Sequence, residues 1–448
     1  MNILFKRIVC VLTALSLLTL AGCKGSSNMG GDKNEATIYY LNFKPEVAEV
    51  YEEIATAYKN EKGVNVKVVT AASGTYEQTL KSEMAKTDAP TIFQINGPKG
   101  YANWKNYCMD LKNTKLYDIL TDKDLAVKNG DSVYGIPYVV EGYGIIYNAE
   151  ILDKYFALKD KKVNINSADE INSFQKLKAV VEDMTRLKST LGIDGVFGAT
   201  SLKSGEDWRW HTHLANIPLF SEFKEGNTDL SGDSTKEIAF KYAENFKNVF
   251  DLYINNSTTD KKLLGSKSVA DSMSEFALGK CAMIQNGNWA WSQIKGVSGN
   301  KVKEENIKFL PIYTGADDEE TLGLCIGTEN FICINENASD EQKKASEEFL
   351  YWLYSSDTGK KFVTEKLDFI APFKTFDESE VPSDPLAKEV VRWMNKENIT
   401  TIPWNFTIFP SQTFKDNFGA ALLSYAQGKT DFNSLKNTVI NEWKKESK

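Results

Sequence analysis

From Ala36 onward the chain alternates between short apolar runs and helix-spaced apolar positions. Ala36-Thr37-Ile38-Tyr39-Tyr40-Leu41 is rich in residues that favour strands. Val47, Val50, Tyr51, Ile54, Ala57 and Tyr58 then recur at the spacing of one helix face between Pro45 and Asn60, and Gly63 ends that helix. Val64 to Val69 reads as a second strand, Tyr76 to Lys86 as a second helix, and Pro90 to Ile95 as a third strand. The order β-α-β-α-β implies a parallel, doubly wound sheet with right-handed crossovers. Ligands of such sheets lie beyond the carboxyl ends of the strands. The loops that matter are therefore Asn42-Phe43, Ala72-Ser73-Gly74 and Asn96-Gly97.

Further along, Val133 to Asn148 is strand-like and interrupted by glycines, which suits a strand that leaves one sheet for another. A helical stretch runs near Ala168 to Leu191. Cys281 to Gln285 is a short buried strand ending at Asn286-Gly287-Asn288-Trp289. Leu322 to Asn335 is strand-like, with Gly323 and Gly327 as bending points. Asp340 to Ser355 is amphipathic with Ser339 as its N-cap, and Phe414 to Gln427 is a further helix.

Before Ala36 the pattern changes. Lys6 and Arg7 precede an apolar run, Ile8 to Thr19, that is much shorter than the roughly 20 residues of a membrane span. Lys24 to Glu35 is small, polar and Gly/Ser-rich, the composition of a flexible tether. Leu20-Ala21-Gly22-Cys23 resembles the lipobox of bacterial lipoproteins. The resemblance implies removal of residues 1–22 and acylation at Cys23, which would hold the chain on the extracytoplasmic face of the membrane.

Composition narrows the partners. The 448 residues carry a net charge of −8, and loss of Lys6 and Arg7 would make it more negative by two. Acidity of this kind disfavours nucleic acid and anionic lipid. Only His211 and His213 supply imidazole, which argues against a histidine-based metal site, and no cofactor motif occurs. Cys108, Cys281, Cys325 and Cys333 sit in apolar contexts without metal spacing. They read as buried thiols, with a Cys325–Cys333 bridge as the alternative.

Several separated segments resemble the extracellular solute-binding proteins of carbohydrate ABC transporters, the group that includes the maltodextrin-binding proteins. Glu275 to Ser292 (EFALGKCAMIQNGNWAWS) is similar to that family's F-x-x-G-K-x-A-M-x-x-N-G-x-W run. Pro137 to Asn148 matches its P-x-x-x-E-x-x-x-x-Y-N crossover, and Phe349 to Leu353 with Gly359 resembles its late helix. The resemblance implies an α/β, two-lobed periplasmic-binding-protein-like fold, each lobe a doubly wound sheet, with hinge strands crossing between. The lobes would be residues 36–139 plus 330–370 and residues 140–329 plus 371–448. It also implies a monomeric, non-enzymatic receptor that delivers a carbohydrate to the permease of an ABC importer.

A sugar presents flat C–H faces to aromatic rings and hydroxyls to planar polar groups. By family position and loop placement the expected ligand contacts are Asn42, Ser73, Asn96, Glu141, Asp207, Trp208, Trp210, His211, Asn288, Trp289 and Trp404. Trp289 leads, because it matches the family's stacking position and follows a strand end. Of Trp208 and Trp210 one should line the cleft, while Trp291 packs internally, and Phe409 competes with Trp404. Asn288 replaces a proline often found before the stacking Trp, so maltose is not implied. Two alternatives stand beside the transport reading. One is a secreted carbohydrate-active enzyme, which would need two facing carboxylates. The other is a receptor for a glycerol phosphodiester, which Lys44, Lys99 and Arg209 would serve.

Overall fold

The computed structural model describes residues 37–447 apart from 73, 200, 231–234 and 378. The leader, the tether, Cys23 and Ser73 lie outside the described residues. Twelve strands are formed: β1 (Ile38–Asn42), β2 (Val66–Thr70), β3 (Ile92–Ile95), β4 (Val127–Asn129), β5 (Ser132–Gly135), β6 (Glu141–Asn148), β7 (Gly195–Phe197), β8 (Cys281–Gly287), β9 (Ile307–Leu310), β10 (Leu322–Gly327), β11 (Phe331–Ile334) and β12 (Thr400–Ile402).

The first sheet has the order β11-β3-β1-β2, with β1 parallel to β2 and β3, and β11 antiparallel to β3. Both of its faces are covered, so its strands are apolar at consecutive positions rather than alternate ones. Ile38, Tyr40 and Ile92 pack with Tyr51, Ile54 and Tyr58 of helix Ala48–Lys62 and with Phe349 and Leu353 of helix Asp340–Ser355. Leu41, Phe93 and Ile95 pack on the other side with Tyr76, Leu80 and Met84 of helix Tyr76–Met84. Helix Asp340–Ser355 opens on the expected N-cap. Ser339 accepts from the Gln342 amide, and the Gln342 side chain accepts in return from Ser339 N.

The second sheet has the order β12-β10-β6-β8-β7, with β9 also paired to β6. It is mixed: β6 runs antiparallel to β8, β9 and β10, while β7–β8 and β10–β12 are parallel. Tyr143 and Ile145 of β6 belong to a large core that includes Phe174, Phe246, Phe250 and Trp210. Ile146 faces a smaller core with Phe276, Leu386, Val390 and Trp393. The two helix-clad sheets make two α/β lobes.

The chain passes between the sheets in short extended pieces. Residues 136–140 join β5 to β6, bridging to Ile332 at one end and to Ile370 at the other. Residues 328–330 join β10 to β11. The strand-like run of 322–335 is thus two strands of different sheets, broken where Asn330 takes a left-handed φ of 60°. All four described cysteines are buried free thiols. Cys325 and Cys333 lie on strands of separate sheets.

Candidate ligand site

Strand β8 ends at Gly287, and the chain then turns into helix Ala290–Lys295. The Trp289 indole folds back against Gly287. A Cβ on that glycine would stand 2.2 Å from the ring, so the conformation requires glycine there. Trp289 is half-buried, and three other aromatic side chains stand beside it. His213 is 5.7 Å away between ring centroids, Trp208 6.0 Å and Trp404 6.4 Å. His213 in turn stacks on Tyr143 at 4.0 Å and 8°, and Phe406 lies 5.2 Å from His213 and 5.1 Å from Trp404. Tyr143 O–H donates to the His213 carbonyl at 3.0 Å, fixing the stacked pair. Burial, with Arg209 adding to it, holds the His213 imidazole well below its usual pKa, so it is neutral. Trp208 and Trp289 keep part of their ring surface open, while Trp404 is buried.

The first lobe brings charge to this cluster. Lys44 leaves β1 and places its ammonium 2.7 and 2.9 Å from the two Glu141 carboxylate oxygens, at the first residue of β6. The same ammonium lies 3.7 Å from Glu46 and 5.8 Å from the centre of the Trp289 ring. Burial pulls Lys44 down, but Glu141 and Glu46 together more than offset it, so the amine is held above its ordinary range. Burial also pushes the Glu141 carboxyl up, against the pull of Lys44. Glu329, half-buried in the 328–330 crossing, is pushed up to about 7 by burial, with Lys44 and Lys415 opposing and Glu141 adding.

Buried polar atoms without a protein partner recur on these segments: Nε1 of Trp289 and Trp404, Nδ1 of His213, Oγ1 of Thr328, Nδ2 of Asn330 and Asn405, and Oδ1 of Asn96. Buried donors and acceptors are ordinarily paired. Those on His213, Trp289 and Trp404 lie within the ring cluster, a grouping suited to a ligand rich in hydroxyls. Among the described residues, no three His, Cys, Asp or Glu side chains gather as a metal-binding set.

The structure brings Glu141, Trp208, Trp289 and Trp404 together and separates other candidates from them. Trp210 is fully enclosed between Phe250 and Tyr253, at 5.1 and 5.2 Å, and is a core residue. Its neighbour Trp208 is the ring that reaches Trp289. Asn42 is fully buried and committed to its own turn. Its amide donates to the Lys44 carbonyl and to Thr70 Oγ1, and its Oδ1 accepts from Lys44 N. Asn288 Oδ1 accepts from Gly142 N, while Asn288 N donates to the Gly142 carbonyl, so this residue joins β6 to the end of β8. Asp207 and His211 are buried with 3.6 Å between them, and Asp207 packs against Gly419 of helix Gln412–Ala426. Asn96 starts helix Gly97–Trp104 and keeps Oδ1 free of protein partners. His213, Tyr143, Phe406 and Glu329 belong to the cluster and were not singled out as ligand contacts. Spacing gave no sign of them, because they come from a π-helical turn (Arg209–Leu214), a buried strand, a short 3-10 helix and a crossing segment.

Two α/β lobes joined by crossing strands, with an aromatic and hydrogen-bonding cluster where they meet, define a protein built to enclose a small ligand. Residues 53–389 match the family described as bacterial extracellular solute-binding protein, and the chain belongs to that family. Over 153 residues it is 27% identical to the melibiose/raffinose/stachyose-binding protein MelE of Bacillus subtilis (strain 168). That alignment covers 34% of this chain and 36% of the relative, so the match spans about a third of that protein's length. Among solved structures, a chitin oligosaccharide binding protein aligns with TM-score 0.69 at 17% identity, covering 93% of this chain and 100% of that one. The binding protein RafE in complex with raffinose aligns with TM-score 0.67 at 17% identity, covering 92% and 100%. A sugar transporter of Bacillus licheniformis in complex with stachyose gives 0.65 at 17%, covering 91% and 99%. At these identities the likeness is one of fold.

Proposed function

We propose that this chain captures a saccharide in the cluster centred on Trp289 and delivers it, chemically unchanged, to the permease of an ABC importer. The observation that carries this reading is the set of partly open indoles, Trp208 and Trp289, clustered with the unpartnered buried nitrogens of His213, Trp289 and Trp404. Indole faces take the C–H face of a pyranose, and fixed amide, imidazole and indole groups take its hydroxyls. The solute-binding family and the sugar ligands named for its similar structures support the same assignment. Glu141, the carboxylate at the crossing, is committed to Lys44, which speaks against its use as a nucleophile.

The lobes of this reading are residues 36–139 plus 330–370 and residues 140–329 plus 371–448, closing about the crossing strands. Cys23 carries the lipid that keeps the receptor on the extracytoplasmic membrane face, tethered by residues 24–35. The test is a thermal shift with raffinose and related oligosaccharides, followed by chromatography of the recovered sugar. Binding with intact sugar supports the receptor; cleaved sugar would favour the enzyme alternative.

A further inference from the structure

Rings and hydroxyl-matching groups suit any saccharide, but the charge beside them is more selective. Arg209 follows Trp208 in the chain and is 3% exposed. Its guanidinium lies 3.9 Å over the Trp208 ring. Its Nε donates to Asn286 Oδ1 at 3.3 Å and one Nη to the Glu206 backbone carbonyl at 3.5 Å. Both are long for a charged donor, and they occupy two of the five N–H groups a guanidinium carries.

Among the described residues, no carboxylate forms an ion pair with Arg209. The Glu206 carboxylate is turned to Lys203 and to Val269 N, and Glu46 to Lys44. Burial pulls Arg209 down to about 9, with the fields of Glu206 and Glu46 opposing. A buried cation without a counter-charge is costly, so folds retain one where something else neutralises it. A guanidinium recognises a carboxylate through two parallel N–H···O bonds. Here it would do so next to the indole on which a sugar ring would rest.

We infer that Arg209 is a docking point for a carboxylate carried by the ligand, so that the saccharide taken by this site is acidic, with a uronic-acid residue placed against Trp208. This rests on the saccharide reading above and narrows it. Arg209 would distinguish a uronate from the neutral sugar of the same shape, while the indoles bind both.

The test is calorimetry on the full chain with oligogalacturonates and glucuronate-containing disaccharides, each against its neutral methyl ester, and with raffinose. The expected result is an affinity for at least one acid about tenfold or more above that for its ester. Arg209→Gln should abolish that preference with little change in the affinity for the ester. Arg209→Lys, which keeps the charge but not the fork, should retain part of it and serves if Arg209→Gln fails to fold. Equal or tighter binding of the esters overturns the inference and leaves the saccharide reading standing. An equal loss for acid and ester in Arg209→Gln overturns it too, because Arg209 would then only hold Trp208 in place. Absence of binding to every saccharide removes the saccharide reading and the inference with it.

Discussion

The Lys44 ammonium and the Glu141 carboxylate form a buried, two-contact ion pair, 2.7 and 2.9 Å, between the exit of a first-sheet strand and the start of a second-sheet strand. Their side chains are 6% and 3% exposed. Desolvating two charges is costly, and removing one partner leaves the other uncompensated. Glu141→Gln or Lys44→Met should therefore lower the unfolding free energy by about 3–5 kcal/mol, whereas Lys44→Met with Glu141→Leu should recover most of the loss. Urea titration of the three variants checks this, and a double variant no better than the singles would contradict it.

Trp289 and Gly287 act as a unit, because the indole lies where a Cβ on Gly287 would be. Trp289→Ala should weaken saccharide binding at least tenfold, about 1.4 kcal/mol, with the fold retained. Gly287→Ala should produce a similar loss by moving the ring while leaving Trp289 in the sequence. Calorimetry on both, with near-ultraviolet circular dichroism to follow the indole, makes the comparison.

Trp210 should behave in the opposite way. Truncating a fully enclosed indole leaves a cavity between Phe250 and Tyr253, so Trp210→Ala should cost about 3–5 kcal/mol of stability. Any protein that remains folded should bind with near-native affinity, measured below the melting transition. A large affinity loss at unchanged stability would return Trp210 to the site.

Gly74, at φ +73°, brings its turn against Gly205, where a Cβ on Gly74 would stand 2.8 Å from the Gly205 carbonyl oxygen. One turn follows β2 of the first sheet, and the other precedes the helical turn that carries Trp208. Gly74→Val should hold the two turns apart. The expected outcome is weaker ligand binding and a ligand-bound radius of gyration larger than that of the parent protein by small-angle scattering.

Asp384 supplies a pH dependence with a definite sign. It caps helix Pro385–Met394 by accepting from Leu386 N and Ala387 N at 2.7 and 2.9 Å, yet burial pushes its carboxyl up to about 7. The folded chain then keeps a proton that the unfolded chain gives up near pH 4. This contribution is present at low pH and is lost as pH rises toward 7, with a limiting slope of ~1.4 kcal/mol per pH unit. Asp384→Asn, which keeps the cap acceptor, should flatten that part of the profile in urea titrations between about pH 4 and 7.

Much of the first lobe could be read directly, since its strands and helices follow one another at short spacing and each has a clear period. The strand at Cys281 was legible for the same reason, and Trp289 stood out because it follows that strand's end at the family's stacking position. The choice between Trp208 and Trp210 was not legible. They are two residues apart at the start of a π-helical turn, and only its local winding sends one to Trp289 and the other into the core. Asn42 ends a strand and Asn288 follows one, as a hydroxyl-binding amide would, but local backbone groups claim them first. Leu322 to Asn335 read as one strand bending at Gly323 or Gly327, whereas the break falls at Asn330, a residue type that enters the left-handed region more readily than most.

The central claim is that saccharides bind by resting on the indoles where the lobes meet. Following Trp fluorescence and heat release while the protein is titrated with oligosaccharides measures this directly. The account predicts saturable one-to-one binding with an indole signal that Trp289→Ala removes. Saturable binding unchanged in both signals by Trp289→Ala would contradict it.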